Sequence, residues 1–144
     1  MTDQPRIIHV GTHTIVEEET LLHVHWQADH TMAEQHEIYD LITKYLQTRD
    51  KGLLLFDLSR AGTLTAEQRH ASGRWWRQQQ LESIALAHYG HGFATRIVVG
   101  LLARAVALVT QLHINVENFA TEADARAWLA NMYGRLRPAT RTAR

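Results

Sequence analysis

The residue types able to do chemistry gather in three places. Asp57-Leu58-Ser59-Arg60 ends one apolar run, and His88-Tyr89-Gly90-His91-Gly92 ends another. Ser59 with His88 or His91 and with Asp57 supplies a hydroxyl, a base and an orienting carboxylate, the three parts a hydroxyl nucleophile needs. Nothing in the spacing requires that assembly, and Asp57 at a strand end reads equally as a turn-former accepting local N–H bonds. Catalysis therefore finds little support, and the expectation is a protein that is not an enzyme. The third place is the histidines, 10 in 144 residues. His23 and His25 alternate on one strand face, and His9 or His13 could join them across a hairpin. A zinc ion needs three or four converging ligands with supporting partners. The chain offers no cysteine, no His-Glu-x-x-His and no carboxylate at a suggestive spacing, so these read as solvent-facing strand histidines. No metal and no cofactor is expected.

Those residues need a frame. Thr12 to Glu17 and Leu21 to Trp26 are strand candidates separated by Glu18-Glu19-Thr20, which suits an antiparallel hairpin. In the second, Leu22, Val24 and Trp26 share the covered face and His23 and His25 the wetter one. Thr31-Met32-Ala33-Glu34 is a capping box, followed by Ile38, Leu41, Ile42, Tyr45 and Leu46 at helical spacing. Leu53-Leu54-Leu55-Phe56 is a short run of the kind found in strands buried on both faces. Thr65-Ala66-Glu67-Gln68 caps a second helix, to about Gln80. Ser83 to Ala87 is another central strand, Phe93 to Gln111 a long apolar helix, Ile114 to Glu117 an edge strand, and Thr121 starts a last helix. The order β-β-α-β-α-β-α-β-α predicts an α/β fold, a hairpin leading into a mostly parallel sheet with right-handed crossover helices. Residues 1–11 read as an N-terminal extension, 12–134 as the domain and 135–144 as a flexible basic tail.

Composition narrows the functions. The 15 basic and 15 acidic side chains cancel, which gives no reason to expect a nucleic-acid surface. Without cysteine there is no disulfide and no thiol chemistry. The most apolar stretch, Ile97 to Val109, is interrupted by Gly100 and Arg104 and is shorter than the roughly 20 residues that span a bilayer. No secretory pattern opens the chain. A cytoplasmic protein without membrane insertion is expected.

Several short segments carry a resemblance. Leu55-Phe56-Asp57-Leu58-Ser59 resembles the strand end bearing an Asp-Leu-Ser signature in anti-sigma-factor antagonists. Thr65-Ala66-Glu67-Gln68-Arg69, and Phe119 to Leu129 with its Thr121-Glu122-Ala123-Asp124 step, resemble a bacterial STAS/SEC14-like branch of the same STAS-like family. The likeness covers about Val10 to Tyr133, and the element order above is that of the STAS-like fold. It implies a regulatory protein-interaction module of bacterial origin. It also implies a Ser or Thr, at the start of the helix after the third strand, that is phosphorylated to release or block a partner. Here the family's Asp-Ser-Ser-Gly step is absent and Ala66 stands where the modified Ser would. Thr65 is then the candidate phosphosite, with Thr63 beside it, and its alternative reading is a plain helix cap.

In open α/β sheets ligands bind beyond the carboxyl ends of the strands, which points to Asp57, Ser59, His88 and His91. Gly90-His91-Gly92 is only a weak phosphate signal. The helix from Phe93 is apolar nearly all round, so its second face needs a cover: neighbouring helices, a dimer partner, or an apolar ligand held against Trp75 and Trp76. Trp75 and Trp76 point about 100° apart on their helix, so one of them is expected at a surface or pocket rim. Two functions follow: an interaction module that binds another protein or itself as a homodimer, and, suggested by the SEC14-like kinship, a carrier of a small apolar or lipid-like ligand. The wall formed by Trp75, Trp76, Val98, Leu101 and Leu102 discriminates them, closed for a carrier and flat for a partner.

Overall fold

A computed structural model of the protein describes residues 4–90, 92 and 115–140. The helix expected from Phe93 to Gln111, with Val98, Leu101 and Leu102, lies outside the described residues, as does His91. Among the described residues six strands form one sheet in the order of the chain: β1 (Arg6–Val10), β2 (His13–Glu17), β3 (Leu22–His25), β4 (Gly52–Asp57), β5 (Ile84–Tyr89) and β6 (Asn115–Phe119). The first two pairings, β1–β2 and β2–β3, are antiparallel, and the next three are parallel. The fold is therefore mixed α/β, as expected, with one strand more than the sequence suggested. Residues 6–10, read as an extension, are β1, joined to β2 by a turn in which Gly11 takes a φ of +58°. That left-handed value suits glycine, and a Cβ there would fall on the Glu34 carboxylate.

Three helices are described: α1 (Met32–Gln47), α2 (Ala66–Arg77) and α3 (Glu122–Tyr133). Both expected capping boxes form, Thr31 with Glu34 and Thr65 with Gln68. β4 and β5 are buried on both faces, which their uninterrupted apolar runs foretold. On one face Ile15, Val24, Leu54, Phe56 and Leu86 pack under Ile38, Ile42 and Tyr45 of α1 and against Trp75 and Trp76 of α2. On the other, Leu53, Leu55, Ala85 and Ala87 pack under Ala125 and Leu129 of α3. Small residues on β5 let α3 approach closely.

The segment after α3 is docked, where the sequence suggested a flexible tail. Leu136 is buried, the Arg137 and Ala139 amides donate to the Glu82 and Asp50 carbonyls at 3.0 and 2.7 Å, and the Gln80 side chain holds both backbone groups of Thr140. Among the described residues no helix is long and apolar enough to cross a membrane.

Candidate functional site

Register decides which polar side chains meet. Because side chains alternate, His25 on β3 stands beside Asp57 on β4 and Asp57 beside Tyr89 on β5, all on the α3 face. One residue pair further back, His23 stands beside Leu55. The α3 face of the parallel strands thus ends in His25, Asp57 and Tyr89, at the carboxyl ends where open sheets bind ligands.

Two hydrogen-bonded groups occupy this corner. In the first, His25 Nδ1 lies 2.9 Å from Asp57 Oδ2, while Asp57 Oδ1 accepts from the Ser59 amide at 2.9 Å and the Ser59 hydroxyl at 2.6 Å. Since the carboxylate only accepts, the proton in this bond sits on His25 Nδ1. Burial pushes the Asp57 carboxyl up, but the Ser59 and His25 hydrogen bonds prevail and hold it below its ordinary value.

The second group is a closed ring. Arg126 Nη2 approaches His23 Nδ1 at 3.4 Å, so that nitrogen accepts and the proton sits on Nε2. His23 Nε2 donates to the Tyr89 hydroxyl at 2.8 Å, Tyr89 donates to Glu122 at 3.1 Å, and Arg126 Nε donates to the same Glu122 carboxylate at 2.8 Å. Arg126 also grips Glu18 with two bonds of 2.8 and 2.7 Å, tying α3 to the turn after β2. Burial, with the neighbouring His25 and Arg126, drives the His23 imidazole down to about 4, so it is neutral as the ring requires. The Arg126 hydrogen bonds hold Glu18 and Glu122 below the ordinary carboxylate range, and burial with nearby carboxylates pushes Tyr89 up. The His23 and His25 rings lie 4.0 Å apart, tilted by 38°, which links the two groups.

These partners correct the sequence reading of the histidines. His23 is 4% exposed, not solvent-facing, because Arg126 and Glu18 close over it. His13 lies on the opposite face, fully buried, with Nδ1 accepting from the Gln27 amide at 3.0 Å. His88 likewise points to the opposite face, over the Phe56 ring and bonded to Asn118 at 3.1 Å, so it does not join Ser59 and Asp57. The imidazole beside Asp57 is His25, which sequence reasoning left among wet strand residues. Its signal was the alternation of His23 and His25 on a strand that ends level with Asp57, and only strand pairing makes it readable. Glu18, Tyr89, Glu122 and Arg126 carried no spacing signal. Among the described residues no group of three or more His, Asp or Glu side chains is arranged to hold a metal ion.

Above this corner runs the β4–α2 loop. Residues 59–67 are all exposed, including Ser59, Thr63 and Thr65, and Leu64 shows 39% of its surface. The loop is nonetheless pinned along its length. Gly90, at φ +90°, lies so close to Ser59 that a Cβ would meet the Ser59 backbone at 3.0 Å, and Gly62 sits as tightly on Asp29. Arg69 donates to the Leu64 carbonyl at 2.8 Å, and Thr65 accepts from the Gln68 amide at 3.1 Å. Gln68 is buried: its amide group donates to the His30 carbonyl at 2.6 Å, and its carbonyl takes a bond from Gln35 at 2.9 Å. The first turns of α1 and α2 are thereby locked together.

Trp75 and Trp76 lie at the far end of α2. Both are half-buried, edge to face at 4.9 Å, and Trp75 donates to Thr43 at 2.9 Å while packing on Tyr39. Among the described residues they share no hydrogen bond or ring contact with the Asp57 corner. Two hollows, of about 440 and 490 Å³, open at the other end of the sheet, beside Gly52 and Ile84 and beside Asn115 and Trp128, and neither touches the polar corner.

Compared with known proteins, the chain matches no protein-family model, and a search of curated proteins finds no match.

Proposed function

We propose that the chain is a regulatory protein-interaction module, STAS-like in kind, whose partner surface is the exposed stretch 59–67, the β4–α2 loop with the first residues of α2. The observation that carries this is the combination of exposure and bracing in that loop. Nine consecutive exposed residues are normally mobile, and ordering them on binding costs roughly 0.5–1.5 kcal/mol for each rotamer-rich side chain immobilised. Here Asp57, Gly62, Gln68 and Gly90 have already fixed the shape, so a partner meets a preformed ridge tipped by Leu64 and Arg60. Thr65 then serves as cap and candidate switch together. A phosphoryl group on its hydroxyl would set a dianion at a helix N-terminus within reach of Arg69, which changes the ridge without dismantling the helix.

A photo-crosslinking side chain placed at position 64, and in a separate protein at the equally apolar exposed position Tyr133, tests the reading in cells. A discrete heavier adduct from position 64 and none from position 133 is expected. No adduct at 64, or the same adducts at both, contradicts it.

A further inference from the structure

Among the described residues, the two edges of the sheet are not alike. β6 carries Glu117 exposed at its centre with Asn115 and Asn118 around it, the polar decoration that discourages edge pairing. β1 is less protected: its one formal charge, Arg6, stands at the start, and Ile7, Ile8, His9 and Val10 follow without a bulge. Ile7 is 58% exposed, the highest value among the large hydrophobics of the described residues. The Arg6 side chain makes no hydrogen bond or ion pair among the described residues, although it stands opposite Glu17 in the β1–β2 register.

We infer that β1 pairs with β1 of a second copy, antiparallel about Ile8, joining two sheets into one of twice the width. This register pairs all five residues: Ile8 with Ile8, Ile7 with His9, and Arg6 with Val10, each side chain on the same sheet face as its opposite number. Arg6, Ile8 and Val10 lie on the α1 side of the sheet. At the end of β1 on that side, the Glu34 carboxylate of α1 rests on Gly11, beside Val10. In the pair, Arg6 of one copy therefore comes to Glu34 of the other, twice by symmetry. Glu34 is held below the ordinary carboxylate range by its Thr31 hydrogen bonds, so it is charged when Arg6 arrives. A formal net charge of zero leaves no overall repulsion between copies. Five paired residues bury less than the roughly 1,200 Å² of a permanent interface, so the dimer is reversible. The pairing does not depend on the regulatory reading, since the loop 59–67 lies away from this edge.

Sedimentation velocity across the micromolar range, with amide hydrogen exchange at low and high concentration, tests it. Wild type is expected to dimerise as concentration rises, with exchange slowing at residues 7–10. Arg6→Glu sets two acidic pairs against each other and should weaken the dimer about ten-fold or more. Arg74→Glu, on the exposed side of α2 and outside the loop surface, should leave it unchanged and serves as a control for net charge. A wild type that stays monomeric overturns the pairing. So does a dimer indifferent to Arg6→Glu, or one that leaves exchange at residues 7–10 unchanged, whatever becomes of cross-linking at position 64.

Discussion

The two faces of the sheet are built on different principles. Under α1 and α2 the packing is large and apolar: Leu54, Ile38 and Ile42 are fully buried, and Phe56, Trp26 and Tyr39 stack edge to face or tilted against one another. Under α3 the apolar part is smaller, with two alanines on β5, and the rest is a hydrogen-bonded polar lattice centred on His23, Asp57 and Arg126. The first face supplies stability through area removed from water, which is indifferent to direction. The second supplies orientation. Each of its bonds fixes an angle, and its last member, Asp57, hands that order to the exposed loop through Ser59. A buried polar group is worth little net when satisfied and costs much when orphaned, so this face, with His23, Asp57, Glu18 and Glu122 all shifted, is the more sensitive to single substitutions and to pH; on the first face burial holds the His13 imidazole low.

The contrast gives its largest effect on the apolar face. Leu54→Ala removes a fully buried side chain at the centre of the α1 side and should cost about 2–5 kcal/mol in urea unfolding. A cost below one kcal/mol would mean the first face is not the main source of stability. Next is acid. The His23 imidazole is depressed from 6.5 to about 4 in the folded chain, so the unfolded chain takes up a proton first as pH falls. Its contribution is complete above pH 6.5 and is lost as pH falls towards 4, by about 3 kcal/mol in all. Asp57, Glu18 and Glu122, also held low, add further losses of the same sign below the ordinary carboxylate range. Stability measured across that window should fall steeply in wild type and with a shallower slope in His23→Gln. Equal slopes would remove His23 from the account.

Much of this was legible beforehand. Both capping boxes, the buried runs that became β4 and β5, and the amphipathic stripe of α1 follow from local chemistry, and each formed where its residues said it would. Three things were not legible. β1 has no alternation, since Ile7 and Ile8 are adjacent, and so did not announce a strand. Leu136 and its neighbours are docked by contacts with residues some fifty or more positions away, Glu82 and Asp50 among them, which no window along the chain contains. Above all, the corner at Asp57 depends on register. Sequence showed an Asp with a Ser two residues on and a His pair on another strand. Only parallel pairing, which sets His25 level with Asp57 and turns His88 to the far side, decides which imidazole meets the carboxylate.

The proposed function hinges on one link: that the polar lattice shapes the exposed loop for a partner. Asp57→Ala removes the acceptor for both His25 and Ser59 at the root of that loop while leaving the apolar face untouched. The measurement is the yield of the position-64 cross-link in wild type and in Asp57→Ala, with hydrogen exchange in β4 and β5 confirming that the sheet is intact. The yield is expected to fall several-fold with the sheet unchanged. An undiminished yield on an intact sheet would contradict it, since the loop would then meet its partner without the lattice beneath.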